Sequence, residues 1–158
     1  KSTPYDEAAR VPLVVRPPGK VRHGEDEKRK LVSGLDITPT ICDYAGVEPP
    51  PNMRGFSLRP LLDGRAAAWR SHLVFEHNAD LGRTILTDHH KYSVFRGDKT
   101  DLLFDLGNDP LETKNLAANS AHATAVKLHR DLIRKWECSL EPDTERMPDT
   151  AGWATKLT

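Results

Sequence analysis

Residues 84–116 read TILTDHHKYSVFRGDKTDLLFDLGNDPLETKNL, and this stretch predicts the centre of the fold. Apolar and polar side chains alternate in two runs within it. The alternating apolar positions are Tyr92 and Val94 in the first run and Leu102, Phe104 and Leu106 in the second. The polar segment Gly97–Thr100 joins the two runs, and this pattern predicts an antiparallel β-hairpin. Thr84–Thr87 precedes the hairpin and is predicted to form a third strand.

A sheet with one apolar face requires a second layer that covers this face. The segment from Ser120 to Cys138 is suited to that role, because its apolar residues recur close to the 3.6-residue period of an α-helix. The stripe consists of Ala125, Leu128, Leu132, Ile133 and Trp136. Leu73–Glu76 is a further candidate strand. The sequence therefore predicts a small α+β subdomain with three or four antiparallel strands and one long helix.

The preceding part of the chain predicts pieces of a different architecture. Val11–Val15 is a continuous apolar run, which is typical of a strand buried on both faces inside a larger sheet. A short amphipathic helix follows, with Asp36 as its predicted N-cap, Pro39 in its first turn and Gly46 at its end. A buried strand requires neighbours, and the sequence offers few parallel candidates. These elements are a first hint of a partner segment.

The composition excludes some classes of function. The 158 residues include 23 Lys and Arg and 23 Asp and Glu, so the formal net charge is zero. This balance argues against binding to nucleic acid or to a membrane surface through bulk charge. No apolar run approaches the about 20 residues of a transmembrane helix. Cys42 and Cys138 can pair only if the fold brings them together, so the sequence leaves their redox state open.

The histidine pairs do not predict a metal site. His89 and His90 are adjacent, so on a strand their side chains point to opposite faces. His122 and His129 lie on one predicted helix but about 10 Å apart along it. All four are predicted to lie at the surface.

Several motifs, in order, resemble the sulfatases of the alkaline phosphatase superfamily. They are Lys1-x-x-x-Tyr5-Asp6-x-x-x-Arg10-Val11-Pro12-Leu13, Asp36-Ile37-x-Pro39-Thr40 with Ala45-Gly46-Val47, Gly55-x-Ser57-Leu58-x-Pro60-Leu61-Leu62, Trp69-Arg70, Lys91-Tyr92, and Phe104-Asp105-Leu106-x-x-Asp109-Pro110-x-Glu112-x-x-Asn115-Leu116. The resemblance implies the C-terminal part of an α/β, alkaline phosphatase/sulfatase-like fold. We expect residues 1–65 to close the large α/β domain, residues 66–140 to form the small α+β subdomain, and residues 141–158 to be an extended tail.

The resemblance also implies a function, hydrolysis of sulfate monoesters by the parent enzyme. Lys1 matches the family lysine that contacts the sulfate oxygens, where an ammonium stabilises charge that grows in the transition state. His77 follows a predicted strand in a polar cluster and is a candidate substrate-binding residue, the alternative being an ordinary loop histidine. Tyr5 is expected to pack and Arg10 to pair with a carboxylate.

The family nucleophile is a formylglycine made from a Cys/Ser-x-Pro-x-Arg motif, and neither Cys42 nor Cys138 lies in one. The divalent metal of the parent enzyme, calcium or magnesium, is held by residues that precede the family lysine, so no metal ligand is predicted in this chain. The expected partners are the N-terminal portion of the same sulfatase and a sulfated small molecule or sugar. Without nucleophile and metal, the chain is expected to be inactive alone.

Two alternatives stay open at this point. The parent enzyme could be a phosphonate or phosphate monoester hydrolase, because the superfamily reuses one scaffold. The chain could also be a noncatalytic module that binds a sulfated ligand or a partner protein. The exposure of Val11–Val15 distinguishes the independent module from part of a larger enzyme. An independent module should not leave such an apolar run exposed, so exposure would argue against it.

Overall fold

A computed structural model describes residues 3–19, 30–65, 68–77, 81–97 and 100–140. The chain divides into two compact units. The sheet unit comprises the residues up to Val11 together with those from Val74 onward, and the helix unit comprises Pro12–Leu73. In the described residues, no helix is both long and apolar enough to cross a membrane. The predicted tail, residues 141–158, lies outside the described residues.

Four strands form one sheet in the order β1-β2-β3-β4. The strands are β1 (His72–His77), β2 (Gly82–Thr87), β3 (His90–Phe95) and β4 (Leu102–Asp105). Pairing of β2 with β3 and of β3 with β4 is antiparallel, and Tyr92 lies opposite both Ile85 and Leu103. The predicted hairpin, the third strand and the additional strand before it are confirmed.

The helices are short except for the last one. They are α1 (Asp6–Ala9), α2 (Ile37–Ala45), α3 (Arg59–Leu62) and α4 (Ala123–Cys138), with 3-10 turns at Gly34–Asp36 and Ser120–His122. Helix α4 covers one face of the sheet, and Ile133 from this helix is fully buried in the core. The other core residues are Ile85, Tyr92, Val94, Leu103 and Leu116.

One position of the predicted α4 stripe is wrong. Leu128 is 55% exposed, whereas the next residue, His129, is buried. Successive helical residues are rotated by about 100°, so the row of Ala125, His129 and Ile133 faces the sheet and Leu128 points away from it. The prediction of a surface position for His129 is wrong for the same reason.

The predicted cap of α2 is also corrected. Asp36 occupies the N-cap position, but its side chain makes no cap hydrogen bond to α2. Instead Ser33 caps the preceding 3-10 turn, and the Asp36 carboxylate accepts the Ser33 N–H in a capping box. Gly46 does end the helix with a φ of 68°, a left-handed conformation that glycine adopts without steric cost.

The predicted buried strand at Val11–Val15 does not form in this structure. Val11 is 64% exposed and Val14 is 92% exposed. A strand requires a neighbouring backbone for its hydrogen bonds, and none of the four strands in the described part of the chain pairs with this run. Val11, Leu13 and Val14 are therefore exposed, and Val15 is half-buried.

Candidate functional site

Lys1, the predicted sulfate-contacting residue, lies outside the described residues, but the segment that follows it is well anchored in the sheet unit. Pro4 is buried, and the ring of Tyr5 packs on Phe104 with a centroid distance of 5.8 Å. Asp6 begins α1, and Arg10 lies 3.9 Å from its carboxylate. The packing of Tyr5 and the pairing of Arg10 are confirmed.

This segment contacts a buried lysine, Lys91, through Asp6. Lys91 on β3 is 1% exposed, and its ammonium pairs with the carboxylates of both Asp6 and Glu112. The backbone N–H of Asp6 also donates to Glu112, at 3.2 Å. Burial of an unpaired ammonium is very unfavourable, so each carboxylate is needed to hold Lys91 in the sheet. Three motifs of the sulfatase resemblance thus meet in one ionic cluster.

Sequence reasoning missed this cluster, because it treated only one face of the sheet as buried. Lys91, Ser93 and Phe95 alternate onto the face opposite Tyr92 and Val94. Lys91 and Ser93 are nevertheless buried. The sequence did contain a signal. Lys91 belongs to the Lys91-Tyr92 motif, and it lies within a predicted strand.

The remaining motif residues after β4 stabilise local backbone. The Asn115 side chain accepts N–H groups of Leu103 and Ala117, each at 3.0 Å, and donates to the Asp101 carbonyl at 3.0 Å. Asp109 accepts from the Lys114 N–H at 2.8 Å. These residues shape the loop that carries Glu112 to Lys91.

His77, the predicted substrate-binding residue, lies at the end of β1 and is 3% exposed. Its ring contacts Phe95 edge-on, with the centroids 5.2 Å apart. Gly82 lies directly against the ring, since a Cβ at this position would be 1.9 Å from His77 Cε1. Among the described residues, neither ring nitrogen has a hydrogen-bond partner.

The charge state of His77 follows from this environment. Burial lowers the pKa of the imidazole, and the nearby positive charge of Arg83 lowers it further. His77 is therefore neutral at physiological pH, with one ring nitrogen able to donate a hydrogen bond and the other able to accept one. Phe95, which contacts His77, lies four residues after Lys91 on β3, so the two side chains point to the same face of the sheet. His77 therefore packs on the face that carries Lys91.

The other histidines and the cysteines form no further site in the described part of the chain. His129 Nδ1 donates to the Ala125 carbonyl at 2.7 Å, and its Nε2 lies 3.2 Å from Thr87 Oγ1, so this histidine supports the contact between α4 and the sheet. Cys42 and Cys138 are both free thiols. Across the described ranges, no group of three His, Cys, Asp or Glu side chains is placed to hold a metal ion.

Comparison with known families places the chain among sulfatases. Residues 1–137 match the family described as N-sulphoglucosamine sulphohydrolase, C-terminal. The chain is 30% identical over 139 residues to an arylsulfatase of Clostridium perfringens, a match that covers 85% of this chain and 29% of the relative. It is also 30% identical to a delta 4,5-hexuronate-2-O-sulfatase of Bacteroides thetaiotaomicron, with coverage of 82% and 28%.

Solved structures agree with these matches. A 2-O GAG sulfatase superposes with a TM-score of 0.64 at 27% identity, over 75% of this chain and 28% of that chain. The phosphonate monoester hydrolase of Agrobacterium radiobacter superposes with a TM-score of 0.59 at 26% identity, over 69% and 25%. The chain spans less than a third of the length of the relatives that it matches. It belongs to the family of sulfatase C-terminal regions, within the alkaline phosphatase superfamily.

Proposed function

We propose that this chain is part of an enzyme that hydrolyses sulfate monoesters, with Lys1 contacting the sulfate oxygens and His77 contacting the substrate. One observation carries the proposal. Lys91 anchors Asp6, five residues after Lys1, to the sheet face on which the ring of His77 packs against Phe95. Asp6 and His77 are thereby held on the same face of the sheet unit, which supports a site that Lys1 and His77 share.

The chemistry of the two residues is complementary. An ammonium at Lys1 would stabilise negative charge that develops on the sulfate oxygens. A neutral His77 would donate one hydrogen bond and accept another, and a hydroxyl group of the substrate can do the same. Because the ring carries no charge, it would not attract an anionic group. We therefore propose a sulfated small molecule or sugar as the substrate, in keeping with relatives named hexuronate-2-O-sulfatase and N-acetylglucosamine-6-O-sulfatase.

The family implies a divalent metal, calcium or magnesium, and a formylglycine nucleophile. The described residues do not fit the metal, because no three potential ligands converge among them. The sequence does not fit the formylglycine, because neither Cys42 nor Cys138 lies in a formylglycine motif. We propose that the N-terminal portion of the same sulfatase provides both. The exposure of Val11, Leu13 and Val14 in the apolar run supports this partner over an independent noncatalytic module.

The expected contribution of Lys1 is too small for the chain to act by itself. One charge-assisted hydrogen bond is worth about 1.5–3 kcal/mol, whereas enzymes lower barriers by about 8–23 kcal/mol. The chain alone is therefore proposed to be inactive. The division into residues 1–65 and 66–140 likewise stays a prediction.

The test compares the natural polypeptide that contains this sequence with the chain alone, using 4-nitrophenyl sulfate and a 4-nitrophenyl phosphonate monoester. The proposal expects sulfate release by the natural polypeptide only, with Lys1→Ala lowering kcat by about tenfold to a hundredfold. His77→Gln should raise KM for the natural substrate, whereas the matched control His89→Gln, at an exposed position, should not.

A second candidate function has its own support, the likeness to phosphonate monoester hydrolases. Preference for the phosphonate ester over the sulfate ester by the natural polypeptide would establish this alternative. Turnover of the sulfate ester by the pure chain, abolished by Lys1→Ala, would overturn the proposal that the chain is inactive alone.

A further inference from the structure

Lys91 is an unusual residue for the middle of a small sheet. It lies on β3 between two paired strands and is 1% exposed. Its ammonium has two carboxylate partners, and neither comes from a neighbouring strand. Asp6 is 85 residues away in sequence, and Glu112 lies in the loop after β4. A buried cation of this kind orders whatever segments supply its counter-charges.

The Asp6 end of this cluster is held at two points. The carboxylate pairs with Lys91, and the backbone N–H donates to Glu112 at 3.2 Å. Immediately before it, Tyr5 packs on Phe104, and Pro4 is buried. The direction of the chain is thus set from Pro4 onward, within a few residues of Lys1.

Chain geometry limits how far Lys1 can lie from this anchor. Asp6 is the fifth residue after Lys1, and an extended chain advances at most about 3.3–3.6 Å per residue. Backbone length alone therefore limits the distance between the α-carbons of Lys1 and Asp6 to at most about 18 Å. Loss of the ion pair would free Asp6 from Lys91, so that this short connection would no longer restrict Lys1 relative to the sheet. Misplacement of a catalytic group by about 1 Å can lower a rate by about a hundredfold.

We infer that Lys91 is a positioning residue for Lys1, acting through its ion pair with Asp6. The inference rests on the proposed function, because it takes Lys1 to contact the sulfate group. Lys91 itself touches no reacting atom, and Glu112 pairs with the same ammonium and holds it in place. The sequence around Lys1 does not identify Lys91, because Lys91 lies on β3, far from Lys1 in the sequence.

A double-mutant cycle in the natural polypeptide tests the inference. Lys91→Met should lower kcat/KM for 4-nitrophenyl sulfate by about ten- to a hundredfold when Lys1 is present. In a Lys1→Ala background, the same change should alter kcat/KM by no more than about twofold, because coupled residues are not additive. Asp6→Asn should reproduce both results. The Asp6 side chain is 41% exposed, so this variant serves if Lys91→Met does not fold.

The control is Lys127→Met, which removes a 79% exposed lysine paired with Asp131 on α4 and should leave kcat/KM unchanged. Circular dichroism confirms that each variant is folded. An equal loss from Lys91→Met or Asp6→Asn in both backgrounds would overturn the positioning role while the proposed function stands. Unchanged sulfate ester hydrolysis in Lys1→Ala would instead overturn the proposed role of Lys1, and the inference with it.

Discussion

Arg70 holds the fully buried carboxylate of Asp36 in a two-point contact. Arg70 Nη2 donates to Asp36 Oδ1 at 2.5 Å, and Nη1 donates to Oδ2 at 2.7 Å. The same carboxylate accepts the N–H groups of Ser33 and Phe56, each at 2.8 Å. Asp36 therefore ties together three separate segments of the helix unit, and its four hydrogen bonds satisfy a charge that has no access to water.

Removal of either partner should strongly destabilise the helix unit. Asp36→Asn or Arg70→Met leaves the other side chain without its counter-charge, which costs about 3–5 kcal/mol for a buried pair. Urea unfolding monitored by circular dichroism measures the change. The matched control is Asp63→Asn, because Asp63 pairs with Arg65 at 2.7 Å on the exposed surface and should contribute at most about 1 kcal/mol. Equal effects of the two Asp→Asn variants would contradict this account.

The same carboxylate predicts a loss of stability in acid. Burial raises the pKa of Asp36, but the hydrogen bonds from Arg70, Phe56 and Ser33 outweigh it and hold the pKa below its usual value. The carboxyl group of an aspartate in an unfolded chain has a pKa of about 3.9. The contribution to stability is therefore complete above about pH 4 and is lost as the pH falls through the lower, folded value.

Free energies of unfolding measured as the pH is lowered below about 4 test this prediction. The natural sequence should lose stability more steeply than Asp36→Asn, which has no carboxylate to protonate at this position. Parallel pH profiles for the two proteins would assign the acid sensitivity to other groups.

Gly82 should not tolerate a side chain. A Cβ would lie 1.9 Å from His77 Cε1, so Gly82→Ala forces the buried ring to move, at a cost of about 1–3 kcal/mol. Combining it with His77→Ala should recover part of this loss. Gly34→Ala is the control, because a Cβ there meets no atom within 4 Å. Thermal unfolding compares the natural sequence with Gly82→Ala, His77→Ala, the double variant and Gly34→Ala. Full additivity of the Gly82 and His77 substitutions would contradict the predicted steric conflict.

Asn115 should matter more for stability than its loop position suggests. Its side chain bonds three backbone groups, those of Leu103, Ala117 and Asp101. Asn115→Ala leaves these groups unpaired, and we expect a loss of about 1–3 kcal/mol. Asn108→Ala removes an exposed amide that bonds Asp105 and should cost less. Urea denaturation of both variants provides the comparison, and a larger effect at Asn108 would overturn it.

Local periodicity was sufficient for the regular elements. Alternation in residues 84–116 predicted the strands β3 and β4, the segment just before them was predicted as the strand that is β2, and the helical stripe predicted α4. Gly46 predicted the end of α2, because a glycine accepts the left-handed conformation there. The motifs in their order predicted the family, which the match over residues 1–137 confirmed.

Tertiary structure alone decided which polar residues are buried and with whom they pair. The sequence distances between partners are 34 residues for Arg70 and Asp36, and 85 for Lys91 and Asp6. Local patterns cannot encode such pairs, because they depend on which segments the folded chain brings together. The same reason explains the burial of His129 and the exposure of Val11 and Val14. An apolar run favours burial, but its burial also requires another segment of the fold to pack against it.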